Sequence, residues 1–135
     1  MGDRAVVGFR THADAPTLYL YSHWGGATVL TDLAEALYVA RDRWNDPTYA
    51  TRICVSQIIG QRWNVETGYG LSIDVHSVPD TDHVYTVDWA DRALVLTHAH
   101  GLAVAPVLMP LTDFVGFYAP KLARQDARFY VAGAR

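Results

Sequence analysis

The pattern of hydrophobic and polar positions along this chain predicts five β-strands. The clearest alternation runs from Tyr69 to His76, where apolar side chains occupy every second position. This period is typical of a strand with one face turned toward a core. The first two predicted strands are separated by a short segment with Pro16, which indicates a turn and therefore a β-hairpin. The predicted strands cover residues 4–11, 17–22, 69–76, 84–89 and 93–97.

Helical spacing of apolar residues predicts two central helices between the second and third strands. The first is expected from Thr28 to Trp44, where leucines recur three or four positions apart and charged residues occupy the other face. The second is expected from Pro47 to about Ile59 and should end at Gly60. Proline suits the first position of a helix because the missing N–H is not needed there.

The C-terminal third is apolar but interrupted by prolines. Thr112 is expected to cap a short helix that ends before Pro120, and residues 121–135 are interpreted as a last helix or a loose extension. The ββααβββ order predicts an α+β fold: an antiparallel sheet, two central helices packed on one of its faces, and a helical C-terminal tail. We expect residues 1–135 to form a single domain.

The second strand carries two kinds of large side chain on opposite faces. Leu18 and Leu20 share one face, which we expect to face the core. Tyr19 and Tyr21 share the other face, together with His23 just beyond the strand. Because exposed tyrosines commonly anchor interfaces, Tyr19 and Tyr21 are candidate contacts for another protein or for a second copy of this chain.

The loop after this strand is the candidate ligand site. A glycine-rich turn that enters a helix presents backbone N–H groups to an anion such as the phosphate of a nucleotide. Neither the P-loop nor the three-glycine dinucleotide fingerprint is present, so a simple tight turn with a packed tryptophan is the alternative interpretation. The candidate residues are Ser22, His23, Trp24, Gly25, Gly26 and Thr28.

Catalytic and metal sites are not predicted, and an enzyme is the least favoured class. Ser22 and His23 are neighbours on a strand and project to opposite sides, so they do not form a nucleophile–base pair. His98 and His100 have a spacing that suits two metal ligands, but a zinc site needs a third protein ligand. His76, His83 and Asp74 are the possible third ligands, and the sequence selects none of them. No cofactor is predicted.

Composition and apolar stretches indicate the partners and the cellular location that we expect for this protein. The net charge is −3 and no basic run is present, which argues against a nucleic-acid partner. The longest apolar stretch, residues 102–111, contains two prolines and is too short to span a membrane, and the N-terminal residues lack an apolar signal core. Cys54 is the single cysteine, so an intrachain disulfide is impossible; we interpret it as a buried apolar residue. These features favour the cytoplasm.

The first half of the chain contains six short strings that resemble a known family: Gly2–Ala5, Leu20–Gly26, Arg43–Trp44, Tyr49–Ile53, Ser56–Gly60 and Thr67–Gly70. The family is an uncharacterised group of small proteins from actinobacterial phages and prophages. The resemblance implies a phage accessory protein inside a bacterial host, without implying an activity or site residues. We therefore expect a non-enzymatic protein that binds a host protein or assembles with itself, with small-molecule binding at the loop as the alternative.

Overall fold

The computed structural model describes residues 3–77, 83–98 and 107–129, which form a mixed α+β fold. Six strands join in one sheet, and four α-helices accompany it within these residues. The strands are β1 (Ala5–Arg10), β2 (Leu18–Ser22), β3 (Tyr69–Ser72), β4 (His83–Asp88), β5 (Ala93–His98) and β6 (Val107–Pro110). The helices are α1 (Val29–Val39), α2 (Pro47–Ile59), α3 (Leu111–Tyr118) and α4 (Pro120–Ala123).

The sheet order is β3-β2-β1-β4-β5-β6, and neighbouring strands are antiparallel except for β1 and β4, which run parallel. The predicted hairpin of β1 and β2 is confirmed, with Val7 opposite Leu20. The expectation of a wholly antiparallel sheet is wrong at its centre, and β6 was not predicted. Parallel neighbours need a long crossover connection, which β2, α1, α2 and β3 supply between β1 and β4.

A buried ion pair joins the two parallel strands at one end. Arg10 and Asp88 are register partners on β1 and β4, and Arg10 Nε donates to Asp88 Oδ2 at 3.0 Å. Asp88 is fully buried, and its Oδ1 accepts the N–H of Asp91 at 3.0 Å. The carboxylate therefore holds both the strand pair and the turn that follows β4.

One apolar core lies between the sheet and the helices. On the sheet side it contains Val7, Phe9 and Leu20, and on the helix side it contains Leu37 and Phe114 among others. The prediction that the leucine face of β2 points inward is confirmed by Leu20, which is buried. No helix in the described part of the chain is long and apolar enough to cross a membrane.

The first helix is shorter than predicted. It ends at Val39, and a 3₁₀ turn covers Arg41–Arg43. Trp44 folds back over the end of α1, where its buried indole N–H donates to the carbonyl oxygen of Leu37 at 3.0 Å. The apolar residue at position 44 is therefore in the core as expected, but it reaches the core from a turn and not from a continued helix.

The third strand also ends earlier than predicted, at Ser72. The Ser72 hydroxyl oxygen accepts the N–H of Asp74 at 2.9 Å, and a 3₁₀ turn follows at Val75–Ser77. Serine side chains that bond the backbone in this way offer the chain a turn in place of a sheet ladder. Because β3 is an edge strand, Leu71 and Ile73 are exposed despite their regular spacing.

The described part of the C-terminal tail, residues 111–129, is helical as predicted, and residues 130–135 of the predicted tail lie outside the described part. Its first helix begins at Leu111 directly after β6, with Pro110 at the capping position. Thr112 lies inside that helix and does not cap it. The helix ends at Tyr118, and Pro120 begins α4. Phe129 then packs into the core against the rings of Tyr38 and Trp44, with centroid separations of 5.5 and 5.4 Å.

Candidate functional site

The loop between β2 and α1 is tied to two distant segments of the chain. The Gly26 N–H donates to the carbonyl oxygen of Asp3 at 2.7 Å, and the His23 N–H donates to the carbonyl oxygen of Gly68 at 2.9 Å. Within the loop, the Thr28 N–H donates to Gly25 at 3.2 Å. These bonds hold the loop against the N-terminal segment on one side and the start of β3 on the other.

The two glycines of the loop are required for close packing and not for unusual backbone angles. Positive φ occurs at Gly60 and Gly68, whereas Gly25 and Gly26 have ordinary φ. A Cβ at Gly25 would lie 2.5 Å from the Ser22 hydroxyl oxygen, and a Cβ at Gly26 would collide with the carboxylate of Asp3. Neither glycine therefore adopts backbone angles that are closed to other residues.

Trp24 is exposed but held in place. Its side chain is 59% exposed, so the alternative prediction of a packed tryptophan is wrong. The ring meets the His23 imidazole edge-on at 4.6 Å between centroids and approaches Gly68 on another side. His23 is itself positioned by the Tyr21 hydroxyl, which lies 2.8 Å from Nδ1. Tyr21 and His23 thus support an indole whose surface faces solvent.

The indole borders a cleft of about 440 Å³, which we call the Trp24 cleft. Small-molecule sites are typically clefts of roughly 300–1,000 Å³. A narrow apolar extension beneath it reaches the core side of the sheet at Ala5, Val7 and Leu20. The lining residues are Ser22, Trp24, Gly25, Thr28, Asp32, Ile58, Ile59, Gln61, Arg62, Gly68 and Tyr69.

The inner end of the Trp24 cleft is electronegative. Asp32, in the first turn of α1, is half-buried and accepts a hydrogen bond from the Thr28 hydroxyl at 2.7 Å. The Asp3 carboxylate lies beside Gly26, outside the lining of the cleft. Arg62 lines the cleft from an exposed position and makes no ion pair with any described residue. An anion in the cleft would therefore meet the negative charge of Asp32 as well as the positive charge of Arg62.

The structure brings together four of the six predicted ligand residues: Ser22, Trp24, Gly25 and Thr28 line the cleft. His23 and Gly26 do not line it but support the loop.

The predicted interface residues, Tyr19 and Tyr21, are half-buried on the sheet face opposite the core side chain of Leu20. Their interface role stays a prediction. Since the Tyr21 hydroxyl contacts His23, that tyrosine also belongs to the support of the Trp24 cleft.

Sequence reasoning missed four polar or aromatic residues that line the cleft: Asp32, Gln61, Arg62 and Tyr69. Asp32 lies four residues after Thr28 on the same helix face, and this spacing was a usable signal. Arg62 follows α2 and Tyr69 begins β3, so their approach to the loop depends on tertiary packing. No local pattern marks these two residues as neighbours of Trp24.

Other chemical candidates are not part of this cleft. Among residues 3–77, 83–98 and 107–129, no group of three or more histidine, cysteine or acidic side chains is arranged to hold a metal ion. The pair His98 and His100, which the sequence left open as possible metal ligands, is not tested, because His100 and the side chains of His76 and His98 lie outside the described part. Cys54 is buried in α2 as predicted, and burial raises the pKa of its thiol far above the ordinary value.

Comparison of the chain with protein families, curated proteins and solved structures finds no match. The resemblance to phage proteins stays a prediction, and the functional argument rests on the geometry of the Trp24 cleft.

Proposed function

We propose that this protein binds a small organic molecule in the Trp24 cleft. The observation that carries the proposal is an exposed indole held by neighbouring side chains at the edge of a concave, partly apolar pocket. A side chain that is already positioned loses little conformational entropy when a ligand arrives, so preorganisation of this kind favours binding.

The walls of the cleft suit a ligand with an apolar or aromatic body. Trp24 offers a ring surface, Tyr69 offers a second aromatic side chain, and Ile58 lies where the open cleft meets its narrow extension. Offset stacking between aromatic rings contributes about 0.5–1.5 kcal/mol beyond the burial of area. The polar groups of Ser22 and Gln61 add hydrogen-bonding capacity that orients such a ligand.

A thermal-shift screen with a library of aromatic and aliphatic fragments tests this proposal. A ligand at about 100 times its dissociation constant should stabilise the protein by about 2.7 kcal/mol. Trp24→Ala should abolish the shift. Trp63→Ala is the matched control, because Trp63 is 48% exposed and does not line the cleft. Shifts that persist in Trp24→Ala, or a library without any hit, would count against binding in this cleft.

Self-association through the edge strand β3 is a second candidate function. Its support is the exposed apolar side of that edge, where Ile73 is 78% exposed and Leu71 lies beside it. Edge strands present unpaired backbone groups that can pair with another chain. We propose that a second copy of this chain pairs along β3.

Light scattering after size-exclusion chromatography tests the assembly. The wild-type protein should elute as a dimer, and Ile73→Lys should convert it to a monomer. Leu108→Lys is the control, since Leu108 is a comparably exposed apolar residue on β6 at the opposite edge. A wild-type protein that is monomeric at high micromolar concentration would exclude this function.

We propose the same cellular setting for both functions: an accessory protein of a phage, active in the cytoplasm of its bacterial host, where a host protein is an alternative partner for the β3 edge. The Leu20–Gly26 string, which carries much of the resemblance, forms part of the wall of the Trp24 cleft. Expression of the protein in a bacterial host, followed by cell fractionation, tests the location. Recovery in the membrane fraction would contradict it.

A further inference from the structure

We infer that the ligand of the Trp24 cleft is an organic amine, whose ammonium group lies between the carboxylate of Asp32 and the indole of Trp24. The inference rests on the proposed small-molecule binding and adds the chemical class of the ligand. It reverses the sign of charge that the glycine-rich loop suggested, because the loop is accompanied by acidic side chains.

Asp32 is the acidic group that faces the ligand space. It borders both the open cleft and the narrow apolar extension, so it lies where the two meet. Its Oδ2 accepts the Thr28 hydroxyl, while Oδ1 has no hydrogen-bond partner among the described residues. No arginine, lysine or histidine in the described part of the chain pairs with Asp32. A carboxylate oxygen without a protein partner beside apolar walls suits a charged donor from the ligand.

The aromatic walls favour the same sign of charge. The face of an indole attracts a cation that lies within about 6 Å of its centroid, and this attraction strengthens when water is excluded. Trp24 exposes its ring to the cleft, and Tyr69 lines another side. The carboxylate of Asp32 and the indole of Trp24 together therefore favour an ammonium group, whereas an anion would be repelled by Asp32.

Arg62 is the opposing charge, and its position explains why it does not reverse this preference. It is exposed, and it lines both this cleft and a neighbouring hollow that it shares with Trp24, Val65 and Thr67. Asp32 is half-buried and lies at the inner end. Since water screens exposed charges more strongly, the inner carboxylate dominates the interaction with a bound ligand.

Three probes with similar aromatic bodies separate the possibilities: phenethylamine, 2-phenylethanol and 3-phenylpropionate. Titration of the isotope-labelled protein at neutral pH, followed by amide and indole NMR signals, gives an affinity for each probe. We expect phenethylamine to bind at least about tenfold more tightly than 2-phenylethanol, because hydrogen bonds to a charged group are about twice as strong as neutral ones. The anionic probe, 3-phenylpropionate, should be the weakest ligand.

Asp32→Asn tests the residue assignment. It keeps the shape of the side chain and an acceptor for Thr28, so it should remove the preference for phenethylamine over 2-phenylethanol and leave the affinity for the alcohol nearly unchanged. Glu35→Gln is the matched control, an exposed acid on the same helix that does not line the cleft. Trp24→Leu is a second variant at an exposed position, and it should weaken the amine more than the alcohol.

Each outcome bears on a different part of the inference. If 2-phenylethanol or 3-phenylpropionate binds as tightly as phenethylamine or more tightly, the ammonium assignment is overturned, while binding in the cleft still stands. A preference for phenethylamine that survives in Asp32→Asn would overturn the role of that carboxylate. Absence of any shift with all three probes would overturn the inference, and the fragment screen then decides the proposed function separately.

Discussion

Replacement of Asp88 by asparagine is expected to lower the free energy of unfolding by about 2–4 kcal/mol. Asp88 is fully buried at the end of the parallel pair of β1 and β4. Asparagine keeps the shape and can still accept the Asp91 N–H with its oxygen. Its amide group then presents N–H donors to the Arg10 Nε–H, so a hydrogen bond of 3.0 Å becomes a contact between two donors.

The expected loss of stability in Asp88→Asn follows from the surroundings of Arg10 and Asp88. Hydrogen bonds to charged groups contribute about 1.5–3 kcal/mol, and removal of one partner from a buried ion pair costs about 3–5 kcal/mol. The Arg10 side chain is 22% exposed, so water can solvate part of the guanidinium after the carboxylate is lost. The expected cost therefore lies below the full value for a buried pair.

Urea denaturation followed by circular dichroism measures this effect. With a denaturant dependence of about 2 kcal/mol per molar urea, the midpoint should fall by about 1–2 M. Asp91→Asn is the matched control: it makes the same chemical change at an exposed position in the same turn and should alter stability by less than about 0.5 kcal/mol. Equal losses in the two variants, or no loss in Asp88→Asn, would refute the structural role of the ion pair.

Three further predictions concern packing and pH. Phe129→Ala should lower the free energy of unfolding by about 3–5 kcal/mol in urea denaturation, because the ring is buried against Tyr38 and Trp44. Phe117→Ala, at an exposed site, should lower it little. Similar losses in the two variants would contradict this packing. Gly8→Ala should destabilise the protein by about 1–3 kcal/mol, because a Cβ at this position would lie 2.7 Å from the Thr86 hydroxyl oxygen. Gly70→Ala is the control and should be neutral, because no atom lies near the added Cβ. A neutral Gly8→Ala would disprove the close approach. Hydrogen bonds from Arg128 and then from Arg41 lower the pKa of Asp126 from 3.8 to about 2. The ionised Asp126 therefore stabilises the fold fully above the ordinary pKa, and this stabilisation is lost as the pH falls through about 2. The stability difference between wild type and Asp126→Asn should therefore close between about pH 4 and pH 2, and a difference that persists at lower pH would exclude this linkage.

The elements that the sequence predicted well are those whose signals are local. The short apolar run before Arg10 and the apolar residues after His83 mark strands, because both segments are rich in β-branched and aromatic residues that favour strands. Pro47 and Gly60 mark the ends of α2 for equally local reasons, one through its missing N–H and the other through its positive φ of 62°. Such features depend on a few adjacent residues and can be recognised without knowledge of the fold.

The errors arose where distant segments compete with the local pattern. Trp44 fits the helical spacing, but the chain turns at Arg41–Arg43. The indole N–H of Trp44 then donates to the carbonyl oxygen of Leu37. Ile73 fits the strand spacing, but it follows the edge strand, and no neighbouring strand or helix buries it. Period alone cannot distinguish an edge position from a central one, because both have the same alternation.

The sequence by itself determined the α+β class, the inward-facing Leu20 of β2 and the helical core positions. Only the tertiary structure decided that β1 and β4 run parallel, that Trp24 faces solvent, and that Asp32 and Arg62 line one cleft. The reason is physical: hydrophobic period and chain turns are set by adjacent residues, whereas strand partners and cleft walls are set by contacts between segments far apart in the chain.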